Sequence, residues 1–340
     1  MRTPAFLVLW LVIAAAVFGL SVAFDNDYVF FAGYVVMQYI VLSTAWNILG
    51  GYCGYVNFGT AAFFALGAYS TVAIYKYTTG DDTPSQFSMP IPFLMLIGGA
   101  VSGVVGFGMG YLTLRLRGAF FAIATLALSV VLETLVVNWD YVGGSRGAYI
   151  IRPEEIWPIG NYIRYLFLIM MLLAIAAMTI ARLIERSRLG YGFATIRDDE
   201  LAAEASGVPT LRLKLIATSI SGGLMGMAGA PFPYYIGFLQ PDSTFGLDYA
   251  VNSIAMPLIG GTTSWVGPLI GTLLLGSLQQ IATVTISSAV NLLIVGILLV
   301  FFVVVAPNGI VGLFHTYFQR KPEEFVGRRR VDPDAPGTVP

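Results

Sequence analysis

The chain has 340 residues, 57% hydrophobic and 11% charged, where a soluble domain carries roughly 25% charged residues. That balance excludes a water-soluble globule and leaves a single membrane domain with short polar loops. The net charge of −1 gives no overall field for nucleic acid. With one cysteine, Cys53, and one histidine, His315, an internal disulfide scaffold and a clustered metal centre are excluded, so neither a metal nor a cofactor is expected.

A helix crossing the hydrocarbon core needs about 20 mostly apolar residues, because its backbone polar groups must be satisfied within the segment. Stretches of this kind run over residues 6–24, 28–49, 56–77, 91–114, 119–139, 162–181, 211–230, 249–259, 268–286 and 290–306. The expected fold class is therefore all-α: a polytopic transmembrane helical bundle of about 8–10 membrane helices. The first stretch is longer than the apolar region of a signal peptide, about 7–15 residues, and reads as an uncleaved helix. The stretch over 249–259 is too short for a full crossing and fits a broken or re-entrant helix. With the N-terminus inside, only Lys76, Arg146, Arg152 and Arg164 of the 18 basic residues fall outside, as the positive-inside rule requires. Both termini are then cytoplasmic. Residues 1–318 form the membrane domain, and the charged, proline-rich tail 319–340 lacks apolar residues to bury and is expected to be disordered.

In chain order, the first unusual segment follows Asn47. Gly50, Gly51 and Gly54 interrupt the apolar pattern, and non-helical backbone at membrane depth survives only where protein buries it or a cavity lines it. Asn47, Gly50, Gly51, Gly54, Asn57 and Thr60 are therefore candidates for the lining of a pathway. Gly59, Ala62 and Gly67 offer small faces, so close helix packing is the alternative role of this segment. Gly260-Gly261 is a second doublet with a following aromatic and valine, too slight a match to establish a repeat. Glu133 is the only carboxylate well inside a predicted span, with Arg146 or Asn138 as its expected partner, or else a structural interhelical bond. Asn252 joins the pathway candidates as an amide inside a short span; for any one such amide, gluing helices together is an equal alternative.

The longest inside loop, 185–214, carries a short helix. Asp198 suits its N-cap, Asp199 and Glu200 the positive end of its dipole, Gly207 its stop, and Pro209 blocks continuation. Two turns are marginal alone, since about 12–15 residues are needed in water, so the helix must pack on something. An ordinary solvated loop helix is the simpler reading. No Gly-x-x-x-x-Gly-Lys-Ser/Thr run exists, so the chain does not bind ATP in the P-loop manner.

Residues 190–207, GYGFATIRDDELAAEASG, resemble the coupling loop of permease subunits of branched-chain amino-acid ABC importers. Residues 46–69, WNILGGYCGYVNFGTAAFFALGAY, are similar to the glycine-rich signature of the same family, with Asn57 and Thr60 where a serine and a histidine often stand. Shorter similarities at 114–127, 143–147, 221–230, 260–261, 265–271 and 306–312 carry the resemblance over most of the chain. It implies a non-enzymatic transport subunit of the bacterial inner membrane that forms half of a translocation pathway. Arg197, Asp198, Asp199, Glu200, Ala203, Glu204 and Gly207 would form the contact surface for cytoplasmic ATP-binding subunits. A second related permease, an extracytoplasmic substrate-binding protein and membrane lipid are the other implied partners, and nucleic acid is not among them. The departures at Asn57 and Thr60 leave urea, short amides or aromatic acids as alternative cargo. A self-sufficient secondary transporter is the alternative of a different class, and one that would call for more buried carboxylates than Glu133. An intramembrane enzyme is disfavoured for want of a close pair of buried acids or a histidine partner.

Overall fold

The computed structural model describes residues 3–23, 26–79, 89–113, 116, 118–152, 155–156, 160–285, 293, 296–297, 300–301 and 309–312. Within them lie the helices α1 (Thr3–Ala23), α2 (Asp27–Gly50), α3 (Thr60–Thr79), α4 (Ile91–Thr113), α5 (Ala119–Val137), α6 (Tyr162–Glu185), α7 (Arg188–Asp198) and α8 (Glu200–Ala205). They continue as α9 (Thr210–Gly229), α10 (Phe232–Ile236), α11 (Pro241–Thr244), α12 (Leu247–Gly260) and α13 (Val266–Thr285). Strand structure among the described residues is limited to two-residue pairs, β1 (Ala148–Tyr149) with β4 (Phe238–Leu239) and β2 (Glu155–Ile156) with β3 (Gly160–Asn161). The chain is an all-α polytopic bundle.

Among the described residues, seven helical segments are long and apolar enough to cross a membrane: α1, α2, α4, α5, α6, α9 continued through α10, and α13 up to Thr283. The helix α3 was expected to cross from residue 56 but starts at Thr60, because residues 52–59 are not helical. It is not apolar enough to count among the seven. Its surroundings explain this: Ala61, Ala62, Phe63, Phe64, Ala65, Ala68 and Tyr69 are all buried, so protein rather than lipid solvates the helix. The helix α12 has 14 residues, about 21 Å at 1.5 Å per residue, and is short of a crossing as its sequence indicated. The expected span 290–306, apart from isolated positions, and the tail 319–340 lie outside the described residues.

The helix α2 is the hub. From Ile40 to Leu49 every side chain is buried, as for a helix surrounded by others. Beside it, α3, α4 and α9 meet through small residues. A Cβ on Gly67 of α3 would lie 2.0 Å from the Gly226 carbonyl oxygen of α9. One on Gly226 would lie 2.5 Å from the Gly98 oxygen of α4. The Ser102 hydroxyl of α4 donates to the Phe63 carbonyl of α3 at 2.9 Å. Lipid tails are as apolar as the side chains, so close van der Waals contact and interhelical hydrogen bonds drive this association. The pair α12 and α13 uses the same device: a Cβ on Gly260 would lie 1.8 Å from the Gly267 oxygen.

The loop 185–214 holds two helices where one was expected. The first, α7, is capped by Ser187, whose hydroxyl accepts from the backbone of Leu189 and Gly190, and it buries Phe193 and Ile196. Asp198, expected to cap the short helix, is the last residue of α7. Asp199 caps α8 instead, accepting from Leu201 N at 2.9 Å and Ala202 N at 3.0 Å. The stop is at Gly207, with φ +83°. There Gly207 N bonds the Glu204 carbonyl and Val208 N bonds the Ala203 carbonyl, both at 3.0 Å, which is a Schellman ending.

Candidate functional site

The feature that organises one end of the bundle is a pair of helix breaks, 51–59 between α2 and α3 and 261–265 between α12 and α13. They touch: a Cβ on Gly51 would lie 2.5 Å from the Thr262 carbonyl oxygen. In the first break the exposed backbone of a terminated helix finds protein partners. Gly51 N and Tyr52 N both donate to the Asn47 carbonyl at 2.9 Å, and Tyr55 N to the Leu49 carbonyl at 3.1 Å. The Trp46 indole donates to the Asn57 carbonyl at 2.9 Å, the Asn57 side chain accepts from Gly59 N at 2.8 Å, and Phe58 N reaches Thr125 of α5 at 3.1 Å. Irregular backbone buried in this way is stable because its polar groups are satisfied within the protein.

The structure thus brings Asn47, Gly50, Gly51, Gly54, Asn57 and Thr60 together at one break. Asn47, Asn57 and Thr60 are at most 1% exposed. Asn47 Nδ2 and Oδ1, Asn57 Nδ2 and Thr60 Oγ1 have no hydrogen-bond partner among the described residues, so four buried polar side-chain atoms at this break are unsatisfied. Asn252 lies elsewhere. It donates to the Tyr39 hydroxyl at 3.4 Å and accepts from Gln279 at 2.8 Å, a network joining α12, α2 and α13. Glu133 stands apart on α5, half-buried. Among the described residues it pairs with neither expected partner, and the Asn138 amide turns back instead onto the Thr134 carbonyl at 2.7 Å.

The hairpin of α7 and α8 sits against this break. Gly54, with φ +80°, occupies the left-handed region, and a Cβ there would lie 3.0 Å from Arg197 Cγ. Two requirements therefore fall on one glycine: a backbone conformation other residues rarely adopt, and the close approach of α7. Gly54→Val is expected to unseat the hairpin, read as faster proteolysis within 188–207 than in the parent chain. Arg197 reaches the Gly51 carbonyl at 3.5 Å and Asp198 at 3.4 Å. Ala203 is buried under α8, and the Glu204 carboxylate accepts from Thr210 at 2.8 Å. Asp198, Asp199, Glu204 and Gly207 are exposed, and Leu201 and Tyr191 are 62% and 72% exposed.

Several residues that sequence reading treated only as loop charges, or passed over, build the underside of this site. Lys214 of α9 lies 2.7 Å from Glu200, with side-chain exposures of 3% and 13%. Tyr55 donates its hydroxyl to the same carboxylate, accepts from Lys214 Nζ at 3.2 Å and holds its ring 4.8 Å from that nitrogen. Glu185, at the end of α6, spans both breaks: its Oε2 accepts from the Tyr52 hydroxyl at 3.4 Å and from Trp265 N at 3.0 Å. The Arg182 guanidinium is buried against the rings of Phe6, 4.1 Å away, and Trp265. The only sequence signal for any of these was a charge or a hydroxyl at the margin of an apolar run. Cys53 also lies in the first break, and burial pushes its thiol up to about 12, Lys214 lowering it and Glu200 raising it to lesser degrees. A thiol held protonated in this way is a poor nucleophile, so maleimide labelling of resting protein at neutral pH is expected to be slow and to rise with pH.

Long apolar helices, a buried and broken core helix and a surface hairpin fastened to that break define a multi-pass membrane permease. The family profile described as "Branched-chain amino acid transport system / permease component" matches residues 28–303, and the chain belongs to that family. Among its relatives, the high-affinity branched-chain amino acid transport system permease protein LivM of Salmonella typhimurium is 25% identical over 320 residues, covering 87% of this chain and 72% of that protein. The LivM protein of Escherichia coli K12 is 26% identical, covering 81% and 68%. The autoinducer 2 import system permease protein LsrC of an Enterobacter strain is 24% identical, covering 62% and 61%. No solved structure matches.

Proposed function

We propose that this chain is one of two permease subunits of an ATP-driven importer of branched-chain amino acids in a bacterial inner membrane. The observation that carries this reading is the outward face of the hairpin. Leu201, Ala202, Ala205 and Gly207 expose a small apolar surface on a helix that is too short to stand alone. Exposed apolar groups on a braced loop fit a protein partner, and a pore without a P-loop needs its energy from one. Arg186, Arg188, Arg197 and Arg212 cluster around the hairpin, which by the positive-inside rule supports a cytoplasmic side for this end.

The docking surface for the ATP-binding subunit consists of Arg197, Asp198, Asp199, Glu204 and Gly207 with Leu201. Glu200 and Ala203 face the bundle and seat α8 from below. The pathway is formed with a second permease, and a substrate-binding protein on the opposite face delivers cargo. Asn47, Asn57 and Thr60 are closed off in the state described, and where the break opens they give the pathway a mildly polar, uncharged lining. Such a lining suits a zwitterion with an aliphatic side chain, because a deep charged well would retain it. The unsatisfied polar atoms of Asn47, Asn57 and Thr60 support a second reading, a more polar cargo such as urea or a short amide.

Reconstituted with its partner subunits, the chain is expected to take up leucine in preference to urea and benzoate, and only with ATP. ATP-independent uptake by the chain alone would refute the subunit reading, and preference for urea would refute the cargo. Leu201→Glu is expected to abolish co-purification of the ATP-binding subunit at nearly unchanged thermal stability, since this side chain is mostly exposed.

A further inference from the structure

The outward face of the hairpin explains docking but not how docking reaches the pore. Three polar ties link the hairpin and the adjoining end of α6 to the breaks: Arg197 of α7 to the Gly51 carbonyl, Glu185 of α6 to Tyr52 and Trp265, and Glu200 of α8 to Lys214 and Tyr55. The third is the best sheltered, with Lys214 at 3% and Glu200 at 13% side-chain exposure. Its members come from three places: Glu200 opens α8, Lys214 lies in the first turns of α9, and Tyr55 belongs to the α2–α3 break. The Tyr55 ring packs edge-on against Phe121 of α5 with centroids 5.0 Å apart, so the break and α5 share this contact.

We infer that the buried triad of Glu200, Lys214 and Tyr55 transmits displacement of the α7–α8 hairpin into the α2–α3 break, and so sets how much transport each ATP cycle delivers. The inference rests on the ATP-driven reading above. Its physical basis is that a charge pair shielded from water is costly to separate, because neither ion regains its hydration while the protein stays closed. When a partner pulls on α8, moving Tyr55 and Lys214 with Glu200 is easier than stripping Glu200 from them. The break is also the segment most able to follow, because it lacks the continuous hydrogen-bond ladder that stiffens the helices on either side. The roles are those of positioning residues: none of the three needs to touch cargo or nucleotide.

The single cysteine provides the test. Cys53 is two residues from Tyr55 and fully buried, so its alkylation by a maleimide, read by mass spectrometry, reports opening of the break. In the reconstituted complex, ATP turnover is expected to raise Cys53 labelling about tenfold over the nucleotide-free rate. In Tyr55→Phe, which removes one hydroxyl and keeps the ring on Phe121, the ATP-binding subunit still co-purifies and hydrolyses ATP. Labelling in that variant stays at the nucleotide-free rate, and leucine uptake per ATP falls about tenfold. A purely structural tyrosine would lower the melting temperature and leave that ratio unchanged. Wild-type labelling gain and wild-type uptake per ATP in Tyr55→Phe would overturn the inference. So would ATP-driven uptake in the parent complex with no change at Cys53, whereas absence of any ATP-dependent uptake in the parent would sink the importer reading itself and the triad's role with it.

Discussion

Gly67→Val is expected to leave little folded protein. A Cβ at this position would stand 2.0 Å from the Gly226 carbonyl oxygen and 2.7 Å from the Gly226 carbonyl carbon. Both atoms belong to helix backbone, so no side-chain rotation relieves the overlap and α3 must move away from α9. That movement also opens neighbouring contacts, because Gly226 is pressed between Gly67 and Gly98. Overpacking a tight core costs about 1–3 kcal/mol, and more where backbone must shift, against total stabilities of about 5–15 kcal/mol. The measurement is the monodisperse fraction in detergent after a fixed heat step. Gly108→Val is the control: nothing lies within 4 Å of a Cβ there, so the yield should match the parent. Equal loss from both variants would mean that helix propensity, not the α3–α9 contact, sets stability.

Lys214→Met should be the most damaging single change outside the glycine contacts. It takes the ammonium 2.7 Å away from a Glu200 carboxylate that is 13% exposed, and the Tyr55 hydroxyl that still donates to it carries no charge. Removing one member of a buried pair costs about 3–5 kcal/mol, while replacing both is often close to neutral. Glu200→Gln in the Lys214→Met background is therefore expected to recover most of the loss, and the double-mutant cycle to return a coupling of about 0.5–3 kcal/mol, the range for groups in contact. Unfolding temperatures in detergent supply all four corners. A double variant as weak as the sum of the singles would mean that the two charges do not interact.

The bundle was legible because lipid demands long apolar runs, and those runs are explicit in the composition of α1, α2, α4, α5, α6, α9 and α13. The first break was legible through the Gly50-Gly51 doublet and Gly54, and the end of α8 through Gly207. Other features were hidden for identifiable reasons. The helix α7 carries Gly190 and Gly192, and such residues lower helix propensity, so the segment reads as loop. The structure shows why they are there: a Cβ on Gly190 would meet the Ile184 carbonyl oxygen at 2.3 Å, and one on Gly192 would meet Leu213 at 2.7 Å. Tertiary packing holds this helix against its own preference. Asp198, Asp199 and Glu200 are consecutive acids, and nothing local tells which caps, which faces water and which turns inward. The inward turn of Glu200 depends on Lys214 and Tyr55, which lie far away in the chain. Glu133 and Asn252 were chosen for polarity alone, and polarity does not report that they sit apart from the break.

The enclosure of α3 has a consequence for how the protein is made. A segment that lipid alone would not welcome has no stable resting place when it leaves the translocon, because α4 and α9, which shelter it, are synthesised later. The nascent chain must therefore hold α3 at the membrane surface or within the insertion machinery until residues up to Gly229 have emerged. With Cys53 replaced and single cysteines introduced along α3, a ribosome-stalled chain ending before α9 should leave them open to aqueous thiol reagents, and one ending after α10 should protect them.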